Sequence, residues 1–110
     1  MKVNQQQIVD INFLFPDGKM KPHPAIIVSN EELYDAEGFF YCVLISTKDY
    51  NKEYVFELED YMLTKPLNRK SYVKCHLIAG NTARDIVKTY GYVKSEYFEQ
   101  IKSKIIQSIF

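Results

Sequence analysis

The sequence predicts a sheet-dominated α+β domain, a curled antiparallel sheet or small barrel with one C-terminal helix. Three observations carry this. Short runs of alternating or β-branched residues recur, each bounded by turn chemistry. The last fifteen residues switch to a helical stripe. The 110 residues, 46% of them hydrophobic, suit one domain with a core of its own.

The elements follow in order. Ile8 to Phe15 alternates, with Val9, Ile11 and Phe13 on one face and Asp10 and Asn12 on the other. Phe15-Pro16-Asp17-Gly18-Lys19 is a turn, and Asp17 to Lys21 reads as a polar loop able to act as a lid. In Pro22-His23-Pro24 each proline lacks an N–H donor, so the segment is not expected mid-strand. His23, preceding a proline, is held extended. Ala25 to Ser29 is a β-branched strand, and Asn30 caps a helical turn over Glu31 to Asp35. The apolar run Phe39 to Ile45 reads as a central strand covered on both faces, ending abruptly at Ser46-Thr47-Lys48.

Tyr54 to Leu58 alternates as a strand, and Asp60 to Leu63 is a turn or short helix. Pro66 to Lys70 is a basic loop. Ser71 to Ile78 is a strand with Val73, Cys75 and Leu77 on one side and Tyr72, Lys74 and His76 on the other. Ala79-Gly80-Asn81 breaks the chain. Asp85 to Thr89 is a short strand, and Tyr90-Gly91-Tyr92-Val93 turns into the last element. Ser95 caps a helix from Glu96 to about Ser108, with Phe98, Ile101 and Ile105 facing the sheet.

Composition excludes several classes. No apolar run is long enough for a membrane helix, and the polar start has no signal-peptide core, so a cytoplasmic protein without membrane contact is expected. Cys42 and Cys75 are too few for a disulfide scaffold and sit in apolar runs as small hydrophobes. Together with His23 and His76 they lack metal-ligand spacing, so neither metal nor cofactor is expected. Fourteen acids cancel fourteen bases, yet Glu31 to Glu37 holds four acids while Tyr61 to Arg84 holds five bases and no acid. That segregation reads either as a phosphate-attracting face or as loops whose charges pair across the fold. His23 likewise reads as a functional imidazole on a stiff segment or as a solvated one. Tyr72, Lys74 and His76 read as a nucleotide-stacking face or as the solvent face of an edge strand.

Five pieces in order resemble the MazF/PemK family of bacterial type II toxin–antitoxin toxins. They are Ile8 to Phe13, His23 to Asn30 with its Pro-Ala-Ile-Ile-Val-Ser-Asn, Ile45-Ser46-Thr47, Ser71 to Cys75, and Gly91 to Val93 before the closing helix. The resemblance implies a small SH3-like barrel with a C-terminal helix, usually a homodimer. It implies a metal-independent endoribonuclease acting on single-stranded RNA and inhibited by an antitoxin peptide lying in the RNA groove. DNA binding is also ascribed to some of its domains. The family's catalytic arginine falls at His23 here, and its catalytic hydroxyl at Ser46, or at Thr47 if the register slips by one. The Arg-Thr pair that helps hold RNA falls near Ala79-Gly80, which carry neither charge nor hydroxyl.

Cleavage of RNA through its own 2′-OH needs a base for that hydroxyl, an acid for the departing 5′-oxygen, and a donor to the phosphoryl oxygens. His23 suits the base or the acid. Ser46 or Thr47 suits the donor, and His76 with Lys74 or Lys21 the second acid and phosphate contact. Lys21, Lys48, Lys74 and His76 are the candidate RNA contacts. The arrangement requires His23 and His76 to face one cleft. The other readings are a non-catalytic relative that binds nucleic acid or an antitoxin-like peptide, and a barrel used only for protein interaction.

Overall fold

A computed structural model of the chain describes residues 2–110. Its six strands are β1 (Gln7–Leu14), β2 (Met20–Ile27), β3 (Phe40–Ser46), β4 (Val55–Leu58), β5 (Ser71–Asn81) and β6 (Ile86–Tyr92). Two α-helices, α1 (Glu31–Glu37) and α2 (Ser95–Ile109), and three single-turn 3-10 helices accompany them. Every strand pair is antiparallel, in the order β4-β5-β3-β2-β1-β6. The end strands β4 and β6 are not paired with each other, so the expected barrel is a curled sheet that stays open. A single bridge between Leu63 and Val93 draws the chain beyond β4 to the chain beyond β6. Among the described residues no helix is long and apolar enough to cross a membrane.

The sheet is covered on both faces. Phe98, Ile101 and Ile105 of α2 pack with Ile8, Ile26, Val43, Val73 and Cys75 on one side. Val9, Ile11, Ala25, Ile27, Phe40 and Cys42 form a second cluster beneath Tyr34 of α1. The two cysteines therefore fall in different clusters. Burial pushes the Cys42 thiol up to about 12 and that of Cys75 to about 11, which leaves both protonated and inert. Asn30 caps α1 by accepting from the Leu33 N–H at 2.9 Å, and Gly38 ends it at φ 74°.

Several elements differ from their sequence expectations. β2 pairs with β1 straight through Pro22-His23-Pro24, with Ile11 opposite His23. The prolines are two residues apart, so both missing donors fall on one side of the strand. β3 runs on to Ser46 but pairs on that side only from Ala25 onward, where N–H donors are present again. The expected lid at Asp17 to Lys21 is a closed hairpin turn, with the Phe15 N–H donating to Lys19 O at 3.0 Å and the Gly18 N–H to Phe15 O at 2.9 Å.

β5 does not break at Ala79-Gly80-Asn81; these residues pair with Cys42, Tyr41 and Phe40. Gly91 lies inside β6 rather than in a turn, and it is glycine where a Cβ would meet Thr64 Oγ1 and lie 3.0 Å from Lys65 N. Ser95 does not cap α2. Lys94 occupies the cap position without a side-chain bond, and Ser95 Oγ accepts instead from Gln6 Nε2 at 3.3 Å.

Candidate functional site

A cavity of about 390 Å³ opens over the middle of the sheet. Strand β1 and its hairpin supply Phe13 and Phe15, β2 supplies His23, β3 supplies Leu44 and Ser46, and β5 supplies Lys74, His76, Leu77 and Ile78. Four of the sequence candidates, His23, Ser46, Lys74 and His76, thus line one space.

His23 is half-buried, its ring centroid 6.0 Å from that of Phe13 and 5.6 Å from that of Phe15. Burial holds the imidazole below its ordinary value of 6.5, partly offset by the Ile45 backbone and the Asp10 charge. Near neutrality the ring is therefore unprotonated, as a general base must be. His76 leans on Tyr54 with centroids 4.7 Å apart, and its Nδ1 is buried without a hydrogen-bond partner among the described residues.

His76 arrives through a break in strand register. Val43 pairs with Ile78 but its neighbour Leu44 pairs with Lys74, so β5 carries Cys75, His76 and Leu77 as extra residues. Such bulges re-aim side chains. Leu77 consequently lines the cavity beside Lys74 and His76, where strict alternation puts it on the opposite face.

Lys74, expected on a solvent face, is only 7% exposed. Its ammonium donates to the Tyr50 carbonyl at 3.0 Å and, among the described residues, has no carboxylate partner. The Lys48 and Lys74 ammoniums lie 5.8 and 6.0 Å from the centre of the Tyr50 ring. Lys48 itself is outside the cavity lining, but its backbone N–H donates to Ser46 Oγ at 3.1 Å, which leaves the Ser46 hydroxyl proton free to donate. Lys21 is exposed at the rim, its ammonium 5.6 Å from the Phe15 ring centre and 4.0 Å from Asp17.

Thr47 does not join this group. It lines a second cavity of about 320 Å³ with Asp10, Pro22, Pro24, Arg69 and Tyr90, and Ser46 borders both spaces. Successive side chains of a strand point to opposite faces, so β2 is a ridge with His23 on one flank and its two prolines on the other. Sequence reasoning missed Phe13 and Phe15 as cavity walls and Tyr50 as the group that gathers two lysines. A signal for the phenylalanines was present: a hairpin centred on Asp17 sets Ile11 opposite His23, so Phe13 and Phe15 share its face.

No curated protein matches the sequence significantly. Solved structures resemble the fold closely. An endoribonuclease in complex with its cognate antitoxin, from a mycobacterial species, superposes with a TM-score of 0.77 at 14% identity, covering 96% of this chain and 93% of that one. A MazE-MazF structure from Deinococcus radiodurans gives 0.77 at 11% identity over all of both chains. The Mycobacterium tuberculosis toxin MazF-mt6 gives 0.68 at 17% identity, covering 94% and 91%. The sequence profile described as "PemK-like, MazF-like toxin of type II toxin-antitoxin system" matches residues 4–109. The chain belongs to the PemK-like, MazF-like toxin family of type II toxin–antitoxin systems.

Proposed function

We propose that the protein is an endoribonuclease that cleaves single-stranded RNA with a pair of histidines. The observation that carries this reading is the sharing of one cavity by His23 and His76. His23, unprotonated near neutrality, takes the proton from the 2′-OH. The freed O2′ attacks phosphorus, the bond from phosphorus to O5′ breaks, and His76 gives a proton to O5′. The products are a 2′,3′-cyclic phosphate and a 5′-hydroxyl. Ser46 donates to a phosphoryl oxygen, and Lys74 supplies a nearby charge that no carboxylate neutralises among the described residues.

An arginine cannot act as a base at this pH, so His23 takes a different role from the arginine the family carries there. The reading includes a homodimer and an antitoxin protein that blocks the groove. The mycobacterial relative, solved with its cognate antitoxin, supports the latter.

A second reading rests on the apolar walls of the same cavity, Phe13, Phe15, Leu77 and Ile78, which equally suit a peptide side chain. On that reading the protein binds nucleic acid or an antitoxin-like peptide without cutting. The test is incubation of a long, lightly structured RNA with the purified protein and with His23→Ala, followed by mapping of the 5′ ends. Recurrent cuts lost in the variant support the nuclease. Saturated RNA binding without cuts supports the binding module.

A further inference from the structure

The cavity on the proline flank of β2 takes no part in the chemistry above, and its composition is specific. Asp10 and Arg69 both face it, yet neither is in an ion pair among the described residues. The Tyr90 hydroxyl donates to Asp10 Oδ2 at 2.8 Å, which orients the carboxylate, and among the described residues Oδ1 has no hydrogen-bond partner. Pro22 and Pro24 contribute two apolar rings to its wall. At about 320 Å³ the space falls among small-molecule pockets. Its shared border with the histidine cavity is Ser46.

We infer that this second cavity reads a guanine base next to the scissile phosphate. The assignment rests on the nuclease reading in taking the two cavities as one RNA groove that passes over Ser46. A carboxylate accepts best from two parallel N–H donors, here one on Oδ1 and one on the second lone pair of Oδ2 beside the Tyr90 hydroxyl. Guanine alone among the four bases offers two neighbouring donors, N1–H and the N2 amino group, on its Watson–Crick edge. Beside them stands O6, an acceptor for the Arg69 guanidinium or the Thr47 hydroxyl. The proline rings pack against the plane of the base. Adenine and cytosine offer one amino group each, and uracil a single N–H, so each leaves part of the carboxylate unmet.

The experiment separates this subsite from the nuclease. Binding of guanosine 5′-monophosphate and inosine 5′-monophosphate, which lacks only the N2 amino group, is measured by NMR titration on the wild type, Asp10→Asn and Arg69→Ala. The expected result is about 10-fold tighter binding of the guanosine nucleotide. The two nucleotides should become equal in Asp10→Asn, with shifts centred on Tyr90 and not on His23. Arg69 is exposed on a loop, so its variant tests the cavity even if Asp10→Asn fails to fold; it should weaken both nucleotides. Equal affinity for both in the wild type overturns the inference, as does unchanged discrimination in Asp10→Asn. RNA cuts with no guanine preference overturn it while leaving the nuclease standing. Selective guanosine binding without RNA cutting leaves the subsite and removes the nuclease.

Discussion

His23 and His76 reach the same cavity from opposite sides of β3, on strands that are not hydrogen-bonded to each other. The central strand acts as a spacer and Leu44 forms part of the floor between them. Two imidazoles held apart across a strand leave room for a phosphate, which a directly hydrogen-bonded pair would not.

Removing either imidazole should therefore cost catalysis without costing the fold. His23→Ala and His76→Ala are each expected to lower kcat on RNA by about 100- to 10,000-fold. Urea midpoints measured on the same samples should move little. An active His23→Ala variant would remove His23 from the mechanism.

The pH profile should carry the signature of a base made weaker by burial. His23 is held below its ordinary value of 6.5 by desolvation, with the Ile45 backbone and Asp10 opposing. The acid limb of kcat/KM should then fall below 6.5 and vanish in His23→Ala. Stability moves in the same direction. Between the lowered folded value and 6.5 the unfolded chain binds more protons, so stability is complete above 6.5 and declines as pH falls through that window. Urea titrations of wild type and His23→Ala across the window would read the difference.

Ser46 and Thr47 should separate cleanly. Ser46 borders the histidine cavity and Thr47 only the second one. Ser46→Ala is expected to reduce kcat by about 100-fold if its hydroxyl meets the developing phosphoryl charge. Thr47→Ala should instead leave the kcat for a good substrate near wild type. The reverse ranking in single-turnover assays would mean that the register had been read one residue off.

Lys74 makes a prediction in which stability and binding part company. A 7% exposed ammonium with one carbonyl partner is costly to the fold. Lys74→Met keeps the stem and removes the charge. Thermal unfolding should show unchanged or higher stability, while RNA affinity falls and its salt dependence shallows. Lower stability with intact RNA binding would assign Lys74 a purely structural role.

Gly91 tests the packing of β6 against the loop after β4. A Cβ there meets Thr64 Oγ1 and lies 3.0 Å from Lys65 N, whereas at Gly80 the nearest atom is a Tyr41 ring carbon at 3.6 Å. Gly91→Ala should destabilise by about 1–3 kcal/mol in urea unfolding. Gly80→Ala should be close to neutral.

Much of this architecture is written locally. Alternation in Val9, Ile11 and Phe13, the β-branched run at Ala25 to Val28, the Asn30 cap and the stripe of Phe98, Ile101 and Ile105 each follow from neighbours a few residues away. Such signals survive in the bare chain because strand and helix periodicities are short-range. His23 and Ser46 were legible as candidates from neighbours alone, His23 from the prolines on either side of it and Ser46 from the abrupt change to polar residues after Ile45.

What could not be read is long-range. β2 pairs with β1 straight through two prolines while its ladder with β3 begins only at Ala25, opposite Leu44 nineteen residues on. The bulge at Cys75 to Leu77 exists only in the register between β3 and β5, and it sets Leu77 beside His76. The burial of Lys74 depends on a carbonyl twenty-four residues earlier. The separation of Ser46 from Thr47 follows from which face of the curled sheet each meets. Strand register is fixed by contacts between distant segments, and a slip of one residue reverses every side chain, so these features emerge only when the sheet is assembled.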